Sequence, residues 1–143
     1  MWVHSLVILA AAATATPPPM THHLSIANAW FRALPARLPA GGYFELENTG
    51  KATATLTGAD SSACGMIMMH KSEQKNGVDT MAGLSSVDIP PGQTVHFAPG
   101  GYHLMCMDPG PTMKPGNSVP VTLHFSDGSQ ATVRFPVRSP TGQ

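Results

Sequence analysis

From Leu24 onward the apolar positions come in short runs separated by turn residues, and no window carries a 3.6-residue apolar period. The runs predict strands at Leu24–Arg32, Gly42–Asn48, Ala52–Ala59, Gly65–Ser72, Val78–Leu84, Thr94–Ala98, Tyr102–Met107, Val119–Phe125 and Ala131–Val137. Between them stand Asn48-Thr49-Gly50, Asn76-Gly77, Pro90-Pro91-Gly92, Pro99-Gly100-Gly101, Lys114-Pro115-Gly116 and Asp127-Gly128. Short strands with regular turn signals predict an all-β sandwich or barrel. With no repeat and no second set of elements, a single domain over 28–138 is expected, followed by a loose tail at 139–143.

The start of the chain reads differently. Val3 to Ala15 is almost wholly apolar or small, too short to span a bilayer, and ends in Ala13-Thr14-Ala15 before Pro17-Pro18-Pro19. Residues 1–15 are therefore read as a cleaved signal peptide, although Met1-Trp2-Val3-His4 lacks Lys and Arg. Export to the periplasm follows, with residues 16–27 as a flexible mature N-terminus and no membrane insertion once the signal is gone. No Cys lies near the cleavage region, which argues against a lipid anchor.

Composition narrows the partners. The formal net charge is zero and 11% of residues are charged, so nothing electrostatic favours nucleic acid or an anionic membrane. A monomer is expected. Nine Met and seven His stand out, because thioether and imidazole are soft or borderline metal ligands. Met also fills cores, so spacing must decide. His103 and Met105 are two apart on a predicted strand and share a face. Asn76-Gly77 predicts a two-residue hairpin in which Lys75 faces Val78 and Ser72 faces Met81. His70 then lies diagonally from Met81 on one face, within reach of long side chains. Pro99-Gly100-Gly101 is a tight turn that presents His103 and Met105 at a sheet end. Two imidazoles and two thioethers, His70, Met81, His103 and Met105, favour Cu(I) over hard cations and over zinc.

The spacing of His70, ten residues, Met81, twenty-one residues, His103, one residue, Met105 resembles the signature of the periplasmic PCu(A)C copper chaperones. Ala29-Trp30-Phe31-Arg32-Ala33, Gly42-Tyr43-Phe44, Glu47-Asn48-Thr49-Gly50, Asp88-Ile89-Pro90-Pro91-Gly92 and Val119-Pro120-Val121-Thr122-Leu123 also resemble that family, as does the stretch Pro99 to Met105. The likeness covers Asn28 to Val137. It implies a cupredoxin-like Greek-key β-barrel. It also implies Cu(I) delivery toward cytochrome c oxidase assembly, with a Sco-type protein or an oxidase subunit as recipient. Cys106 stands where that family commonly has an aliphatic residue, and Cys64 adds a second thiol.

Other residues receive plainer readings. Met66, Met68 and Met69 are read as core packing, with an auxiliary copper role for one of them as the alternative, since Met66 and Met68 share His70's face on a regular strand. Met107 shares Met105's face, which makes it an alternative ligand, and Met113 is read as loop packing. His22 and His23, with Met20, suggest a weak Cu(II) site on the tail. His96 and His124 are read as structural or surface. Cys64 and Cys106 suggest a disulfide in an oxidising compartment, but strand parity points them to opposite faces, so a bulge or loop at Cys64 would be needed. The same parity argues against Cys106 as a thiolate ligand.

Three other functions compete with this one. A blue-copper carrier needs a Cys before a His and Met in one loop, whereas Cys106 follows His103 and Met105. A copper buffer would share the chaperone's site chemistry. An enzyme is not expected, since the carboxylates are scattered, no nucleophile set stands out, and hydrolytic zinc sites use His and carboxylate.

Overall fold

Ten strands form in the computed structural model, which describes residues 19–143. They are β1 (Leu24–Arg32), β2 (Ala40–Asn48), β3 (Ala54–Asp60), β4 (Cys64–Lys75), β5 (Val78–Leu84), β6 (Val87–Ile89), β7 (Thr94–Phe97), β8 (Tyr102–Pro109), β9 (Ser118–Phe125) and β10 (Gln130–Arg138). The expected signal peptide, 1–15, lies outside the described residues.

The strand order is β5-β4-β8-β7-β2-β1-β10-β9-β3-β6, with β8 also pairing β2. A short parallel pairing, Phe31 with Val137 and Arg32 with Arg138, is the seam at which this sheet folds over on itself. The result is a cupredoxin-like all-β sandwich in one domain, as expected.

Period-2 burial drives the closure. Along β2, Ala40, Phe44 and Leu46 point inward; along β9, Val119, Val121, Leu123 and Phe125 do the same. Phe135 meets both Phe31 (5.2 Å between ring centroids) and Phe44 (5.7 Å), so aromatic rings join the two layers. Burying each such side chain contributes about 1.5–3 kcal/mol.

Two strands match their expected bounds, β1 and β5. The rest differ for local reasons. β3 starts at Ala54 rather than Ala52 because the buried Asn48 side chain takes the Ala52 carbonyl at 2.7 Å. Asn48 also donates to Ile89 O at 2.8 Å and accepts from Gly50 N at 2.9 Å. β6 was not anticipated; its three residues are too few to show a period, yet Val87 and Ile89 are buried against β3. β4 runs on to Lys75 because its polar end pairs with Thr80, Asp79 and Val78 of β5, and the Thr80 hydroxyl donates to the Glu73 carbonyl.

The described residues at either end are hydrogen-bonded into the fold. Met20–His23 forms a 3-10 turn, and Met20 N donates to Asp127 Oδ2 at 2.8 Å, so the segment 16–27 is not a free tail from Met20 on. Ser139–Gln143 closes into a turn through Gly142 N to Ser139 O at 2.8 Å.

Cys64 and Cys106 form a disulfide, with Cα atoms 5.4 Å apart. The parity obstacle is removed at the strand end. Cys64 is the first residue of β4 and its N–H is turned back to Ser61 O, while Asp108 adopts a φ of 49°. Gly65 lets this happen, since a Cβ there would stand 3.0 Å from Asp108 Cβ. The bridge closes a loop with a sequence separation of 42, which corresponds to about 4 kcal/mol of lost chain entropy. The Cys64→Ser, Cys106→Ser double variant is expected to unfold at lower denaturant with a loss of about 3–4 kcal/mol. A loss under about 1 kcal/mol would mean that the bridge adds little to the fold.

Candidate metal centre

The site begins with a hairpin. Asn76 and Gly77 both have positive φ (54° and 77°), the requirement of a type I′ turn. β4 and β5 therefore pair with Lys75 opposite Val78, Ser72 opposite Met81 and His70 opposite Gly83. This is the register expected, and it sets Met81 diagonally from His70 on one face. Gly83 carries no side chain beside His70, and a Cβ there would meet nothing within 4 Å.

The second half comes from a pairing that the sequence did not reveal. β4 pairs antiparallel with β8 so that His70 faces His103 and Met68 faces Met105. The two imidazole rings lie 5.6 Å apart at 88°, edge to face. Inward neighbours lock this register, since Met69 on β4 and Leu104 and Cys106 on β8 are buried in the core. The outward face therefore carries His70, His103 and Met105 together, with Met81 on the adjoining strand.

One hydrogen bond orients the His103 ring. His103 is 4% exposed, and its Nδ1 lies 3.2 Å from Gly101 O. Donation from Nδ1 to that carbonyl leaves Nε2 as an unprotonated acceptor. His103 Nε2 and His70 Nδ1 are both buried without a hydrogen-bond partner. Two orphaned ring nitrogens on facing residues are costly unless something partners them. Gly101 O also accepts from Ser72 N at 3.1 Å, so one carbonyl ties β4 to the turn and orients His103. The Pro99-Gly100-Gly101 turn is legible in the sequence, whereas the role of its carbonyl is not.

The donor set is neutral. Among the described residues no group of three or more His, Cys, Asp or Glu side chains converges as a metal site. The donors that the outward face offers are imidazole nitrogens and thioether sulfurs, a set that suits a soft ion better than a hard one. Both cysteines lie in the disulfide, so neither offers a thiolate and the blue-copper alternative loses its ligand. Burial first, and the neighbouring His103 second, hold the His70 pKa below its ordinary 6.5.

The remaining candidates sit elsewhere or differ from expectation. Met66 and Met68 are not core residues; they are 58% and 39% exposed, because only Ile67 and Met69 point inward. Met107 shares the outward face, opposite Met66. Met113 is buried. His22 and His23 are exposed on the turn before β1, and His23 O is held by Thr49. His96 lies by Glu45 and His124 by Asp60, both as surface pairs.

A small β-sandwich with a His/Met face defines a class of soft-metal-binding modules, and comparison with known proteins narrows it. A family model described as putative lipoprotein LpqE-like matches residues 24–137, and the chain belongs to that family, within the PCuAC group. A putative lipoprotein of Leifsonia xyli subsp. xyli, Lxx21020, is 37% identical over 132 residues, spanning 92% of this chain and 79% of that protein. The copper-bound PCuAC domain of PmoF2 matches with a TM-score of 0.70 at 24% identity, over 82% of this chain and 94% of that domain. The Cu(I) form of DR1885 from Deinococcus radiodurans matches with a TM-score of 0.59 at 23% identity, over 90% of this chain and 83% of that one. At these identities the solved structures speak to the fold. Among the described residues no helix is long and apolar enough to cross a membrane.

The lowered His70 pKa has a signed consequence. The unfolded chain takes up the proton first, so stability is full above about pH 7 and is lost as pH falls through 6.5 toward the folded value. The thermal midpoint of the metal-free protein should decline between about pH 7 and pH 5, and the decline should shrink in His70→Gln. Equal declines would remove His70 as the cause.

Proposed function

We propose that this protein is an exported metallochaperone that carries one Cu(I) on His70, Met81, His103 and Met105. The observation that carries this reading is the pair of facing histidines whose inner nitrogens are buried and unpartnered. Two neutral imidazoles and two neutral thioethers match the charge and softness of Cu(I). Copper is cargo here, taken up and passed on, and the chain acts as a carrier rather than a catalyst. Membership of the PCuAC group and the likeness to a copper-bound PCuAC domain support it.

The exposure of the donors suits transfer. His103 is deeply buried, while Met81 is 63% exposed at the edge. A recipient's ligand can approach from the Met81 side and displace that thioether first. We assign the recipient to cytochrome c oxidase copper-centre assembly, through a Sco-type protein or an oxidase subunit, with the chaperone acting as a monomer in the periplasm. The names of the family and of the Leifsonia relative support export. Both cysteines of this sequence lie in the disulfide, so neither is free to carry a lipid. A weak Cu(II) site at His22 and His23 is a separate, minor part of the reading.

Titrating the protein with Cu(I) against a chromophoric chelator tests the site. One tightly held Cu(I) is expected. Met81→Ala and His103→Ala should each weaken it by more than the roughly 10–100-fold that losing an outer partner costs. Unchanged affinity in both variants would overturn the assignment. Delivery is tested separately: a strain lacking the protein should lose oxidase activity and regain it with added copper. Full oxidase activity in that strain would favour a copper buffer.

A further inference from the structure

The rungs of the β4–β8 ladder do not stop at the histidines. Below His70–His103 comes Met68–Met105, and below that Met66–Met107. All six residues point to the same outward face, because the alternate residues Ile67, Met69, Leu104 and Cys106 pack inward. Exposed large apolar side chains among the described residues are Leu34, Leu38, Met66, Met68, Val78 and Met81. Half of these are methionines on one face of β4 and β5. Packing does not explain Met66, which is 58% exposed.

We propose that Met66, Met68 and Met107 form a second, weaker Cu(I) station that adjoins the first through the shared thioether of Met105. Its role as an intake for the histidine site rests on the function proposed above. Residues directly opposite on antiparallel strands have Cβ atoms about 4.5–5.5 Å apart, and successive rungs stand about 7 Å apart. Flexible thioether side chains converge easily over such spans. No carboxylate or hydroxyl stands on these rungs, so the station offers only soft, uncharged donors and selects Cu(I). Without imidazole it binds more weakly than the rung above it. An ion captured at the exposed Met66 end therefore runs downhill, through Met105, to the site that has the two histidines.

The test uses full-length mature protein with 13C-methyl methionine, titrated anaerobically with Cu(I) while methyl resonances are followed. The Met66 and Met107 methyls should move with a second equivalent, after those of Met81 and Met105 have moved with the first. The Met66→Leu, Met107→Leu double variant keeps shape and apolar volume on an exposed face. It should keep the first equivalent and lose the second. Binding that stops at one equivalent with the Met66 and Met107 methyls unmoved would overturn the station, as would a double variant that still takes two. In a His70→Ala, His103→Ala background the Met66 and Met107 methyls should still shift with Cu(I). That result stands whether or not the histidine site is correct, so the two readings fail separately.

Discussion

The pairing of β4 with β8 is the constraint on which the rest depends. One register sets His70 against His103, Met68 against Met105 and Met66 against Met107. A slip of β4 by one residue would send Met66, Met68 and His70 toward the core and bring Ile67 and Met69 out. Three things forbid the slip. The inward residues are fully packed, the Cys64–Cys106 bridge ties the far end of the pair, and the Gly101 carbonyl ties the near end by accepting from Ser72 and facing His103. The metal-facing surface is therefore prepared by the fold itself, with the cost of ordering its ligands met during folding.

That preparation explains the gradient across the face. His103 is held by burial and by a carbonyl on its second nitrogen, while Met81 stands on a hairpin arm supported mainly by backbone pairing with β4. A rigid end and an open end in one donor set allow the ion to be gripped and yet exchanged ligand by ligand. Neutral donors assist this, since no ligand charge has to be separated from the ion as it leaves.

Much of this was legible in the residues, and what was not has physical causes. The hairpin register followed from Asn76-Gly77, because few residue pairs tolerate two positive φ values in succession. His103 and Met105 were legible as a pair because a strand repeats every two residues. The β4–β8 pairing was not, since about thirty residues separate the strands and no local signal encodes which strands meet. The same gap hid the disulfide: the parity of regular strands opposed it, and only the irregular start at Cys64 with the left-handed Asp108 allows it. The exposure of Met66 and Met68 is not legible in the sequence, because composition cannot distinguish a buried methionine from an exposed one. Asn48 looked like a turn residue, but its side chain bonds three backbone groups, two in the turn that follows it and one at the end of β6.

X-ray absorption on protein loaded with one equivalent of Cu(I) tests the central claim most directly. The account predicts a copper ion coordinated by two nitrogen and two sulfur atoms, the nitrogen signature being that of imidazole. A first coordination sphere of sulfur alone, or of nitrogen and oxygen alone, would contradict it.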